Sequence, residues 1–102
     1  MNHQVFTLLG FAQKAGKIVS GETGCTAAIK HKKALLVIFS ADAAESTKTQ
    51  IKFLCRQNKI ECREWGSKID LGNSIGKSPR AVLAVTEKGF ASAILKILMS
   101  SV

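Results

Sequence analysis

"LLVIFS", residues 35–40, is a run of leucine, valine, isoleucine and phenylalanine closed by a serine. β-branched and aromatic side chains favour a strand, and the lack of polar alternation means that both of its faces are covered. "AVLAVT" (81–86) repeats the pattern near the other end of the chain. Two strands hidden on both sides need helices above and below them, and the rest of the sequence provides these.

Upstream, Val5, Leu8, Leu9 and Ala12 fall at helical spacing, and Ala15-Gly16 stops the helix. "KIVS" (17–20) reads as a short strand and 22–32 as a helix with Ala27, Ala28 and Ile29 on its inner side. A helix beginning at Ser46 carries Ile51, Leu54 and Cys55 and runs to about Asn58. "IECREW" (60–65) is a strand with one exposed side. Ser67 and Asp70 have the spacing of an N-cap and an acidic N3 residue, and Gly72 and Gly76 limit the short helix that follows. Phe90, Ala93, Ile94, Ile97 and Leu98 mark a final amphipathic helix. Strands thus alternate with helices, which predicts a three-layer α/β/α sandwich whose sheet is parallel at least in part. No linker, repeat or low-complexity segment interrupts the chain, and its single proline, Pro79, lies in a loop. One domain over 1–102 is expected.

With 46% hydrophobic residues in 102, the chain can form a core without staples. Its longest apolar run, 34–39, is far short of the roughly 20 residues of a membrane helix. "VFTLLGFA" has the length of a signal-peptide apolar region but no preceding Lys or Arg, so a soluble cytoplasmic protein is expected. Cys25, Cys55 and Cys62 make no C-x-x-C pair and, with His3 and His31, show no zinc spacing; they read as small thiols in a reducing compartment, with no metal. The balance of 15 Lys+Arg against 7 Asp+Glu gives +8. Residues 1–33 carry +4, 34–66 carry +1 and 67–102 carry +3. Such a charge suits a polyanionic partner, nucleic acid first.

Two stretches could meet that partner. Gly21-Glu22-Thr23-Gly24 stands where a strand hands over to a helix, preceded by Lys14 and Lys17. It matches neither a Walker loop nor a dinucleotide fingerprint. What remains is a helix N-terminus with free N–H groups, able to hold a phosphate oxygen or a base edge, or a plain glycine-eased turn. "LGNSIGKSPR" (71–80) sets Lys77, Ser78 and Arg80 on a loop leading into the second buried strand. That loop suits a phosphate backbone, or is a solvated turn. "KHKK" (30–33) sits at a helix C-terminus, where the dipole favours cations. Asp42 follows a buried strand but lacks a second strand-end acid for a magnesium site, and reads as a turn residue. No hydroxyl has a His–acid relay, so no catalytic residue is assigned.

"AGKIVSGETG", "ALLVIFSADA", "SKIDLGNSIGK" and "AVLAVTEKGF" together resemble the conserved segments of the kink-turn RNA-binding ribosomal proteins, the L-seven-Ae family, and within it the small bacterial YlxQ-like branch. The G-S-K-x-x-L-G-x-x-x-G pattern at 66–76 is the most specific part. The resemblance implies an α/β/α sandwich with a four-stranded mixed sheet, no catalysis and no cofactor. It implies binding of a bent RNA internal loop by the start of the second helix and the loop before the last strand. Carried over, these elements fall on Gly21, Glu22, Thr23 and Gly24, and on Lys68, Lys77, Ser78 and Arg80. A monomer bound to structured RNA, ribosomal or other, is the expected state. Thr23 and Gly24 stand where the family has an Asn-Glu pair, Ala27 stands at its Lys position, and Ala44, beside Glu45, replaces a further Glu. The resemblance therefore implies a variant surface. Two readings stay open beside it: an interaction module that kept the fold and lost the RNA, and a small phosphate- or nucleotide-binding enzyme.

Overall fold

The computed structural model describes residues 3–100; Met1, Asn2, Ser101 and Val102 of the expected domain lie outside them. The elements are α1 (His3–Lys14), β1 (Ile18–Ser20), α2 (Glu22–Lys30), β2 (Leu36–Phe39), α3 (Glu45–Asn58), β3 (Glu61–Glu64), α4 (Lys68–Ser74), β4 (Val82–Val85) and α5 (Lys88–Ser100). The strands form one mixed sheet in the order β1-β4-β2-β3. β4 is antiparallel to both neighbours, setting Leu83 opposite Ser20 and Val82 opposite Phe39. β2 and β3 are parallel, with Leu36 opposite Glu61, as a helical crossover through α3 demands.

Every residue of β2 and β4 is buried. Because strand side chains alternate, Val37, Phe39, Val82 and Ala84 pack with Cys25, Ile29 and Ile51 of α2 and α3. Leu36, Ile38, Leu83 and Val85 pack on the other face with Val5, Leu9, Leu71 and Ile94 of α1, α4 and α5. Each such large side chain contributes about 1.5–3 kcal/mol of burial. The α/β/α sandwich is thus present, with two helices on one face and three on the other. Among the described residues, no helix is long and apolar enough to cross a membrane.

Local details follow the sequence closely, with some exceptions. Ser67 caps α4 as its spacing predicts, its Oγ accepting the Asp70 N–H at 3.1 Å. At α5, Glu87 accepts the Phe90 N–H at 2.8 Å. The Phe90 and Gly89 N–H groups hold the Glu87 carboxyl below its usual range. Ala27 is exposed rather than inward, because Cys25, Ala28 and Ile29 already fill the buried stripe of α2. α2 also stops at Lys30, short of the expected 32; Lys32 adopts φ 58° and turns the chain toward β2. α3 starts one residue early, at Glu45, with Ala44 at its N-cap.

The three cysteines are free thiols, Cys25 and Cys55 buried and Cys62 half-buried on β3. Burial pushes the Cys25 thiol up to about 12. The neighbouring Cys55 thiol, helped by Arg63 and Lys52 against the cost of desolvation, brings Cys62 down to about 7. Thiolate is the reactive form, so iodoacetamide should label Cys62 before Cys25, with a rate that rises through about pH 7; mass spectrometry of tryptic peptides reads the order.

Gly72 controls how α4 meets the following loop. It is buried, and a Cβ there would lie 2.9 Å from the Lys77 carbonyl oxygen and closer still to the Ser78 backbone. Gly76, at φ +71°, faces open space. Gly72→Ala should therefore cost about 1–3 kcal/mol as overpacking, a fall in thermal midpoint of about 5–15 °C for a domain of this size. Gly76→Ala should cost only the left-handed strain of about 1–2 kcal/mol and leave the packing of the 77–78 loop unchanged. Thermal and urea unfolding of the two variants compare the losses, and a harmless Gly72→Ala would show that the loop is free to move.

Candidate nucleic-acid interface

The sheet order brings four connections to one end of the molecule. β1 ends beside the start of β4, where the Gly21 N–H donates to the Val82 carbonyl at 3.0 Å. β2 ends there too, Ser40 N–H reaching the Ala81 carbonyl at 2.8 Å. β3, parallel to β2, ends beside it, and the Ala41 N–H donates to the Gly66 carbonyl at 2.8 Å. The β1–α2, β2–α3, β3–α4 and α4–β4 connections are therefore neighbours.

Gly21 takes φ 90° and ψ 155°, a conformation that glycine adopts without strain, and it offers no side chain to cap α2. The first N–H groups of α2 consequently have no side-chain cap. The Glu22 carboxylate accepts the Thr47 hydroxyl at 3.1 Å and so ties α2 to α3. Thr23 and, one turn on, Ala27 are exposed on the outer side. Gly24 is hemmed in from below: a Cβ at this position would stand 2.9 Å from Val19 Cγ1.

On the other side of the edge, Arg80 is the organising residue. Its N–H donates to the Lys68 carbonyl at 3.0 Å. Its Nη1 donates to the Ser78 hydroxyl at 2.6 Å and to the Ser78 and Pro79 carbonyls at 3.1 and 3.2 Å. Its Nε donates to Ser20 Oγ at 3.3 Å, directly joining the 67–80 segment to the end of β1. Lys68, Lys77 and Ser78 are exposed. Asp42 Oδ1 accepts the Lys68 N–H at 2.9 Å, which makes it a fastener between the β2–α3 loop and α4. Desolvation works against ionisation of Asp42, but hydrogen bonds, the Lys68 N–H first among them, outweigh it with a smaller contribution from the Lys68 charge and keep the carboxyl below its usual range.

Gly21, Glu22, Thr23, Gly24, Lys68, Lys77, Ser78 and Arg80 therefore come together. Lys14 and Lys17 do not. Lys17 precedes β1 and its carbonyl accepts the Thr86 N–H at 2.9 Å, beside the far end of β4. Four residues of extended chain put its Cα about 13 Å from that of Gly21. Lys14, at the end of α1, lies on the same far side as Lys17. Charge is also distributed otherwise than expected. Lys48, Lys68, Lys77 and Arg80 lie at the assembled end, but so do Glu22, Asp42, Glu45, Glu64 and Asp70. Lys48 is itself paired with Glu64 at 3.3 Å. The edge offers directed donors rather than a basic field.

Sequence reasoning missed Ser20, Val19 and Ile69. Ser20 matters through Arg80, 60 residues away, and only the β1–β4 pairing reveals the contact. Val19 underlies Gly24. Ile69 is 61% exposed beside Lys68, and an apolar residue directly after a capped helix start was the available signal. Among the described residues, no group of three or more His, Cys, Asp or Glu could hold a metal ion.

Relatives share this architecture. The chain is 39% identical over 93 residues to the RNA-binding protein YlxQ of Bacillus subtilis (strain 168), covering 91% of this chain and 93% of that one. It is 35% identical over 88 residues to the RNA-binding protein YlxQ of Enterococcus faecium, covering 86% and 84%. The solved structure of a protein with unknown function from Bacillus halodurans C superposes with a TM-score of 0.94 at 29% identity, covering 97% of this chain and all of that one. Residues 3–95 match the profile of the ribosomal protein L7Ae/L30e/S12e/Gadd45 family, and the chain belongs to that family.

Proposed function

We propose that this chain is a non-catalytic RNA-binding protein that holds a bent RNA internal loop, a kink-turn or a variant of one, on the edge built by α2's start and residues 67–80. The Arg80–Ser20 hydrogen bond carries the reading, because it fixes two segments far apart in sequence as one surface. Family membership and the RNA-binding names of the relatives support it. In this reading Gly21 lets the backbone come close to RNA, and the uncapped N–H groups of α2 meet phosphate or base edges. Lys68 and Lys77 neutralise phosphates, and Ser78 adds a hydroxyl. The protein acts as a cytoplasmic monomer, one domain over 1–102, with ribosomal RNA among its structured targets.

Thr23, Gly24 and Ala27 favour a second reading, in which the fold is kept as an interaction module. They supply none of the amide, carboxylate and ammonium expected of the family at those positions. Binding of a kink-turn RNA and of the same RNA with the guanine pairs of its bend replaced separates the two. A preference for the intact bend supports the proposal, and absence of binding to both supports the module.

Arg80→Ala should lower RNA affinity by about tenfold or more, equivalent to about 1.4 kcal/mol. It should also lower the thermal midpoint, since four side-chain bonds, the Ser20 link among them, go with it. Lys77→Ala should weaken binding with the midpoint unchanged, because Lys77 is exposed. Isothermal titration paired with thermal melts measures both. Equal affinity in folded Arg80→Ala protein would remove this edge from the interface.

Restoring the family's side chains is a sharper test. Thr23→Asn and Ala27→Lys share one outward side of α2, with Gly24→Glu beside them over Val19. The Glu Cβ would press on Val19 Cγ1, so Val19→Ala is added to make room. The quadruple variant should bind a standard kink-turn about tenfold more tightly than Val19→Ala alone, while RNA lacking the guanine pairs gains far less. An equal gain on both RNAs would mean that the new lysine acts only as charge.

A further inference from the structure

The chain's positive charge is concentrated at the end of the sheet opposite the proposed RNA edge. Lys17 opens β1 beside Thr86, which follows β4, and Lys88 comes two residues later. Next along the sheet, Leu35 N–H donates to the Val85 carbonyl at 2.8 Å, and Lys32 and Lys33 precede it with only Ala34 between. Lys59, in a left-handed conformation at φ 57°, leads into β3 at the far side. Lys14 and Lys30 end α1 and α2 at the same end. All of these lysines are exposed. The acids nearby are engaged: Glu87 caps α5 through Phe90 at 2.8 Å, and Glu61 pairs with Arg63 at 3.1 Å. Strands about 4.8 Å apart place this band across about 15 Å of sheet width.

Helix dipoles explain only part of it. Lys14 and Lys30 stabilise the helix ends that they occupy. Lys88 is the first residue of α5, where the dipole disfavours a cation, and Lys17 and Lys33 stand outside any helix. Lys17 has the Glu87 carboxylate within electrostatic reach and Lys33 closely follows the end of α2, but one acid and one helix end do not balance the whole band.

We propose that this end is a second RNA-contacting face, which takes the phosphate backbone of a duplex segment other than the one held at the opposite edge. The inference rests on the chain being an RNA binder. The composition favours RNA over a protein partner: apart from Arg56 in the last turn of α3, the cations are lysines, which protein interfaces deplete and which meet phosphates as point charges. α3, 14 residues long, keeps the two ends about 21 Å apart. The protein therefore bridges two stretches of RNA, reading the bend at one end and holding backbone without sequence preference at the other.

The test uses the full chain with two probes, a fully paired RNA duplex and a kink-turn RNA trimmed to short stems. Lys17→Gln, Lys33→Gln and Lys88→Gln together should weaken duplex binding about tenfold and flatten the log affinity–log salt slope by about 2–3 for three lost phosphate contacts. Kink-turn binding should change by less than about threefold, since backbone charge elsewhere adds little to a bend held by directed donors. A control with Lys52→Gln and Lys96→Gln removes charge away from both ends and should leave the duplex slope nearly intact. Lys30→Gln with Lys59→Asn, a second variant of the same face, should repeat the loss. An unchanged slope in the first variant, an equal fall in the control, or a preference of this face for an acidic protein over duplex RNA would overturn the inference. If the kink-turn is ignored while lysine-dependent duplex binding persists, the second face stands and the proposed bend reading falls.

Discussion

Between Phe39 and Val82 the two middle strands meet with every side chain covered, so the centre of the sheet presents nothing polar to a partner. That constraint organises the rest of the molecule. Helices cover both faces, and the chemistry is forced into the connections at the two ends of the strands. Since β4 runs against both neighbours while β3 follows β2, the ends of β1, β2 and β3 converge with the start of β4. The edge thus follows from strand direction more than from any one loop.

The two ends of the sheet have different physical characters. One has oriented groups held by short bonds: Arg80 on Ser20 and Ser78, Asp42 on Lys68, Thr47 on Glu22. Its cations and acids nearly balance, and its positions are set by geometry. The other has exposed ammonium groups on flexible stems, with few acids left free. Oriented donors discriminate shape, whereas unpaired lysines give salt-sensitive attraction.

Much of this was legible in the sequence where a local rule operates. Ser67 and Asp70 announced their cap by spacing, and the apolar runs at 35–40 and 81–86 announced buried strands. Gly72 and Gly76 were legible as limits of α4, although not that the Lys77 and Ser78 backbone crowds Gly72. What was hidden depends on direction and distance. Lys17 and Gly21 are near neighbours in the chain, yet a strand between them carries them to opposite ends. Ala27 lies one position off a stripe whose width a short helix leaves ambiguous. Dividing the charge by thirds of the sequence also failed to show its placement, because each element crosses the molecule and returns.

The 60-residue separation of Ser20 and Arg80 has a consequence for how the protein is made. Among the described residues β1 pairs with β4 alone, and β4, which starts at Val82, is made long after β1 ends at Ser20. A growing chain emerging from the ribosome can form α1 and the β2–α3–β3 crossover early, but its first strand stays unpaired until residues 82–85 are free. Domains tend to fold as units during synthesis, and distant pairings close last. The Arg80 edge therefore does not exist on a half-made chain, and an unfinished copy has no assembled surface with which to compete for the finished protein's target.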